Sequence, residues 1–277
     1  MVIGNRQIGE SEPAFIIAEI GINHNGDISL AKKMLDEAKG AGADAFKLQT
    51  YITEKRVPRN SPIFTILKKC ELSPKDTRML FNYAGKKDII FFSTPFDDES
   101  VDLLEALGVG LYKIASFDIV NLKLLRKISL TKKPVIISRG MSNEKEIGQA
   151  IRIFCGTGSP FALLHCISSY PAKEEDANLS VIEALKNKFA CPVGFSDHTL
   201  GIEVPVLAVA AGSNIIEKHF TLSKQLKGPD HNLSAEPHEF RLMVKKVRQV
   251  EKILGSAEIR LHESERPILQ YRRHSKI

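Results

Sequence analysis

Residues 15–50 read FIIAEIGINHNGDISLAKKMLDEAKGAGADAFKLQT and hold one complete strand–helix–strand unit. Phe15–Gly21 and Ala45–Thr50 are short, nearly continuous apolar runs, the pattern of strands buried on both faces in a parallel sheet. Between them, Ser29–Lys39 places Leu30, Met34, Leu35 and Ala38 on one helical face, and Gly40 follows as a stop signal. The alternation continues along the chain. Further strand runs at Ile89–Thr94, Leu111–Ser116, Pro134–Ser138, Phe161–Ser168, Pro192–Ser196 and Asn214–Phe220 bring the total to eight. Helical stretches fall at Asp98–Leu107, Leu122–Ser129, Glu144–Phe154, Ser180–Asn187 and Glu203–Gly212. An α/β chain with this repeat predicts a (β/α)8 TIM barrel. A doubly wound open sheet is the alternative, but no GxGxxG follows the first strand.

The barrel is expected over residues 1–255 as a single domain ending in a helix at Glu239–Leu254, with 256–277 a polar tail lacking a core of its own. Tyr51–Lys87, holding Pro58, Pro62 and Pro74, reads as an active-site loop followed by the second helix near Lys75–Ala84. With 43% hydrophobic and 26% charged residues the chain is globular rather than disordered. No apolar run approaches the roughly 20 residues needed to span a bilayer, and the N-terminus lacks a signal-peptide stretch. A cytoplasmic protein without a membrane partner is expected. The net charge of +6 is modest, and with no Trp and 7% aromatics the footprint of a nucleic-acid binder is missing. Cys70, Cys155, Cys166 and Cys191 form no CxxC pair, which argues against metal knuckles and redox motifs, and they are expected to be buried thiols. His238, His262 and His274 read as surface residues, and Arg266, Arg272, Arg273 and Lys276 as a solvated basic tail.

In such a barrel the chemistry sits at the C-terminal ends of the strands. There the sequence places Glu19, Lys47, Gln49, Thr94, Lys113, Ser116, Asp118, Ser138, Arg139, His165, Ser168, Tyr170, Ser196, Asp197, His198, Glu217, Lys218 and His219. Two lysines among short hydroxyls suit a phosphate or carboxylate cradle, although either lysine alone would equally suit a salt bridge between strands. His198 and His219 end consecutive strands, with Glu19 on the next. Two imidazoles and a carboxylate with open positions suit a catalytic divalent metal of the first transition row. Cys166 and its neighbour His165 face opposite ways on a strand and cannot pair as nucleophile and base.

These residues, in this order, resemble the sialic acid synthase family, the N-acetylneuraminate and related nonulosonate synthases. The resemblance is carried by Ala18-Glu19-Ile20-Gly21-Ile22-Asn23-His24-Asn25-Gly26, Lys47-Leu48-Gln49-Thr50, Ser93-Thr94-Pro95-Phe96, Phe195-Ser196-Asp197-His198-Thr199-Leu200-Gly201, Glu217-Lys218-His219-Phe220-Thr221 and Gly228-Pro229-Asp230-His231. It implies a TIM barrel that condenses phosphoenolpyruvate with an aldose such as N-acetylmannosamine, and a homodimer. By the resemblance His198 and His219 would hold the divalent metal, Mn2+ first, with Mg2+ or Co2+ as alternatives. Glu19 would be the carboxylate beside the reacting centre. Lys47, Thr94, Lys113, Ser116, Ser138 and Ser196 would surround phosphoenolpyruvate, and Gln49, Tyr170 and Asp230 would contact the amino sugar. Asp230-His231 looks more like the neuraminate and legionaminate branch than the pseudaminate one.

The pattern also departs from the family. Family members usually continue into a small antifreeze-like domain that reaches the partner's active site, and this sequence is expected to lack it. Ser116-Phe117-Asp118 stands where Ser-Gly-Glu is common, making Asp118 a shorter catalytic carboxylate. Arg139 replaces a small residue and is expected to read an anionic or otherwise unusual group on the sugar, and Ser168 precedes Tyr170 where an asparagine is usual. Other readings are a shorter 3-deoxy-octulosonate-type synthase, a Schiff-base aldolase using Lys113 or Lys218, and a non-catalytic barrel serving as a binding subunit.

Overall fold

A computed structural model of the chain describes residues 1–273; His274 and Lys276 of the basic tail lie outside the described residues. Eight parallel strands close into a barrel: β1 (Phe15–Gly21), β2 (Ala45–Thr50), β3 (Ile90–Pro95), β4 (Tyr112–Ile114), β5 (Val135–Ser138), β6 (Phe161–Cys166), β7 (Val193–Asp197) and β8 (Ile215–His219). Each strand pairs with its neighbour in sequence, and β8 closes on β1 with His219 opposite Glu19. The helices are α1 (Ile28–Gly40), α2 (Pro74–Lys86), α3 (Asp98–Leu107), α4 (Leu122–Leu130), α5 (Glu144–Thr157), α6 (Val181–Phe189), α7 (Glu203–Ala210) and α8 (Pro237–Leu254). Asp27 caps α1 by accepting from the Ser29 and Leu30 amides, and the helix buries Ala31, Met34, Leu35 and Ala38 against the sheet.

Strand alternation divides the barrel interior into two ends. At the bottom, Phe15, Ile17, Ala45, Phe92, Leu111, Ile136, Ala162, Leu164 and Ile215 fill one apolar cluster. Two residues further along the same strands, in the same phase, come Glu19, Lys47, Thr94, Lys113, Ser138, Cys166 and Glu217. Seven of the eight strands therefore anchor an apolar plug below and deliver a polar group above; β7 has Gly194 below Ser196.

Three features were not read from the sequence. An N-terminal hairpin, Val2–Ile3 with Arg6–Gln7, closes the barrel bottom by burying Ile3 and Ile8 in the apolar cluster. Its strands are too short to show alternation. The Tyr51–Lys87 connection carries two short helices, Thr53–Arg56 and Phe64–Cys70, too brief to present a helical stripe. The stretch beyond α8 ends in an exposed 3-10 segment, Glu263–Tyr271, with no buried residue. No helix among the described residues is long and apolar enough to cross a membrane.

Candidate active site

The polar ends of the strands open into one cavity walled by Glu19, Lys47, Gln49, Thr94, Lys113, Ser116, Ser138, Cys166, Tyr170, Ser196, His198, Glu217, His219 and Asp230. Its floor is an alternating array of two lysines and two carboxylates. Lys47 Nζ lies 2.8 Å from Glu19 Oε2 and 3.5 Å from Glu217 Oε1. Lys113 Nζ lies 3.8 Å from the same Glu217 oxygen and donates to Ser138 Oγ at 2.6 Å and to the Ile114 carbonyl at 3.1 Å. Ser196 Oγ donates to Glu217 Oε1 at 3.0 Å, and Lys47 donates to Thr94 Oγ1 at 3.4 Å. Both lysines are thus salt-bridged between strands and also exposed to the cavity, so the two readings of them coexist.

All four charged groups are buried, and their protonation is set by which partners outweigh desolvation. Burial pushes the Glu19 carboxyl up to about 7, only partly offset by Lys47. Glu217 goes the other way, because Lys113 and Lys47 together outweigh its desolvation and hold it ionised. Lys47 is held above its ordinary value, since Glu19 and Glu217 overcome burial. Lys113 is lowered by burial, with the neighbouring Lys47 charge opposing whatever Glu217 restores. One carboxyl is therefore poised to exchange a proton near neutrality, beside Lys47 and Glu217, which hold each other in their charged forms.

His198 and His219 stand side by side, ring centroids 5.5 Å apart and inclined by 55°. His198 Nδ1 donates to the Ile167 carbonyl at 2.7 Å, which leaves the lone pair on Nε2. His219 Nδ1 is buried with no hydrogen-bond partner. Burial lowers the pKa of both rings, so they are neutral. Tyr170 packs on His198 with centroids 4.2 Å apart. Among the described residues no third His, Cys, Asp or Glu joins the pair in a preformed metal cluster. Two neutral imidazoles, one with an unpartnered buried nitrogen, nonetheless fit a divalent ion whose remaining positions go to water or substrate.

Several expected site residues lie elsewhere. Arg139 does not line the cavity: its guanidinium donates to His165 Nδ1 at 2.7 Å, while His165 Nε2 donates to the Ala177 carbonyl at 2.7 Å. Asp118 sits in a 3-10 turn after β4, where it accepts from Asn121 at 3.2 Å; its neighbour Phe117, not Asp118, reaches the cavity. The Ser168 hydroxyl is buried without a partner behind Gly140, near Ser116 and Cys166, and is not part of the cavity wall. All three lie beyond the last residue of their strands, where strict alternation no longer fixes direction. Lys218 points out of the barrel and donates to Asp197 Oδ2 and the Thr199 carbonyl, both at 2.6 Å, which removes it as an imine-forming nucleophile. Cys166 lines the cavity and His165 does not, as their opposite phases require.

One residue was placed at the strand ends without a role, and one was not singled out from the sequence at all. Glu217, in phase with His219 two positions on, joins both lysines at the floor. Arg56, on the short helix after β2, has no pattern that would have revealed it and stands in the cavity wall.

A barrel whose upper end gathers buried lysines, carboxylates and paired imidazoles in one cavity is built to bind a small, highly polar substrate. Residues 34–259 match the NeuB family, and the chain belongs to it. An N,N'-diacetyllegionaminic acid synthase of Legionella pneumophila is 42% identical over 288 residues, covering 96% of this chain and 80% of its own. An uncharacterized protein of Methanocaldococcus jannaschii is 50% identical over 274 residues, 99% of this chain and 81% of its own. The crystal structure of the N-acetylneuraminic acid (sialic acid) synthetase of Leptospira borgpetersenii in complex with citrate superposes with a TM-score of 0.95 at 45% identity, covering 98% of this chain and 95% of that one. The chain is accordingly an enzyme of the sialic acid synthase type.

Proposed function

We propose that the chain condenses phosphoenolpyruvate with an N-acylated aldose to give a nonulosonic acid of the sialic, legionaminic or pseudaminic type and inorganic phosphate. The observation that carries this reading is the convergence of Lys47 and Lys113 with two neutral imidazoles on one cavity. In the reaction, C3 of phosphoenolpyruvate bonds to the aldehyde carbon of the open-chain sugar, whose oxygen takes up a proton. Water adds to the cationic C2 so formed, and the C2–O bond to phosphate then breaks. Lys47 and Lys113, with Thr94, Ser116, Ser138 and Ser196, bind the phosphate and carboxylate of phosphoenolpyruvate and hold the charge that builds on the departing phosphate. Glu19, with its carboxyl poised near neutrality, stabilises the cation at C2 and accepts a proton from the attacking water. Gln49, Tyr170 and Asp230 orient the sugar from the wall above. His198 and His219 would hold a divalent ion, Mn2+ in the first instance, and such an ion supplies Lewis-acid polarisation of the aldehyde oxygen.

A phosphate-release screen with phosphoenolpyruvate, Mn2+ and a panel of N-acylated hexosamines tests this. Release is expected with at least one sugar and lost on adding a chelator. Absence of release with every sugar, by protein that retains metal, would sink the proposal.

A further inference from the structure

Arg56 is a cation of the cavity that no part of the reaction above uses. Its guanidinium carbon lies 3.7 Å from the Phe96 ring centroid and 4.6 Å from that of Tyr51. Its Nη1 donates to Gln49 Oε1 at 2.9 Å. Asp118, Asp230 and Glu19 act on it through space, yet none forms an ion pair with it among the described residues. A guanidinium carries five N–H groups, and among the described residues the only one committed goes to Gln49. It rests in the corner formed by the near-perpendicular Phe96 and Tyr51 rings, which lowers the ordering cost of a bidentate contact.

Height along the barrel defines what Arg56 can meet. Lys47 and Gln49 face the cavity from the same strand, two residues apart, which sets them about 6–7 Å apart along it. Lys47 belongs to the floor with Glu19 and Glu217. Gln49 is one layer higher, and Arg56, bonded to Gln49, stands at that height or above. With phosphoenolpyruvate on the lysines, the acceptor sugar must extend from the reacting centre toward this mouth, and its far end meets Arg56. A partly desolvated guanidinium with carboxylates near it but no direct ion pair gains more from an anion in contact with it than from a neutral oxygen.

We propose that Arg56 is a specificity-determining residue that binds an anionic oxygen group, phosphate or carboxylate, on the end of the acceptor sugar remote from its aldehyde. This deepens the condensation reading and rests on it for the placement of the acceptor. The role that sequence alone gave to Arg139 falls instead to an arginine on the opposite side of the strand order, since Arg139 is engaged by His165.

Calorimetric binding in the absence of turnover tests it, with N-acetylmannosamine, its 6-phosphate and the corresponding uronic acid as separate probes and phosphoenolpyruvate as the control. At least one anionic probe is expected to bind the wild-type protein about tenfold more tightly than the neutral sugar, and which one does so separates phosphate from carboxylate. R56L, which keeps an apolar side chain over Phe96, should abolish the preference. R56K, which keeps the charge but not the planar fork, should retain only part of it. Phosphoenolpyruvate affinity should stay within twofold in both variants. Equal affinity of the wild-type protein for neutral and anionic probes would overturn the proposal. So would a loss in R56L shared equally by the neutral sugar and phosphoenolpyruvate. If R56L fails to fold, an undiminished preference in R56K overturns it. A preserved anion preference without phosphate release in any assay counts against the condensation reading alone.

Discussion

Replacing Lys113 with methionine removes one ammonium from the cavity floor while keeping the length of the side chain. Lys113 is buried, donates to Ser138 Oγ at 2.6 Å and stands 3.8 Å from Glu217. Its loss leaves Glu217 with Lys47 at 3.5 Å and Ser196 at 3.0 Å, so the carboxylate is not orphaned. Removing one partner of a buried pair costs about 3–5 kcal/mol where the other is left uncompensated. With Lys47 and Ser196 still on Glu217 and desolvation opposing the charge on Lys113, the loss in stability should stay below about 3 kcal/mol. Binding is another matter. A charge-assisted hydrogen bond to a bound phosphate contributes roughly 1.5–3 kcal/mol, and the lost attraction of a second fixed cation adds to it. K113M should therefore bind phosphoenolpyruvate about 30- to 1,000-fold more weakly. Titration calorimetry with phosphoenolpyruvate alone reads this, with thermal unfolding as the control for folding. An affinity within threefold of wild type, in a variant that folds normally, would refute the assignment of Lys113 to the phosphate cradle.

Other outcomes follow from individual contacts. A Cβ on Gly140 would meet Ser168 Oγ first and would lie 2.7 Å from Ser116 Oγ and 2.9 Å from Cys166 Sγ, so G140A should displace the Ser168 and Ser116 hydroxyls and, through Ser116, raise the KM for phosphoenolpyruvate several-fold, measured by steady-state kinetics. H198A and H219A should each lower bound Mn2+ after gel filtration to well under half the wild-type content, measured by elemental analysis; full retention in both would move the metal elsewhere. Burial holds His24 and His165 neutral, each with its pKa lowered from 6.5 to about 4. Since the unfolded chain takes up protons first, the stabilisation from these rings is complete above pH 6.5 and fades as the pH falls toward 4, by about 3 kcal/mol for each ring. The unfolding midpoint should fall steeply over that interval, and H165Q should make the fall shallower.

The barrel was legible because each strand is a buried run of fixed length and each helix a stripe with recognisable ends. The same alternation made much of the cavity wall legible. Glu19, Lys47, Gln49, Thr94, Lys113, Ser138 and His219 share the phase of the apolar residues beneath them and Ser196 that of Gly194, and all face the cavity. Alternation carried no information past the strand ends, and there the reading of Asp118, Arg139 and Ser168 failed. What turned Arg139 away was a neutral His165 acceptor on the outer face of β6, a tertiary contact that local spacing does not encode. Arg56 was illegible for a related reason. It sits on a helix of four residues, and its place in the cavity comes from stacking on Phe96, forty residues along the chain.

The condensation is tested most directly by the mass of its product. Incubation with phosphoenolpyruvate, Mn2+ and an accepted six-carbon N-acyl sugar should yield a nine-carbon 2-keto acid, with mass equal to sugar plus phosphoenolpyruvate plus water less phosphoric acid, in step with phosphate released. Phosphate appearing with pyruvate and unchanged sugar would contradict carbon–carbon bond formation.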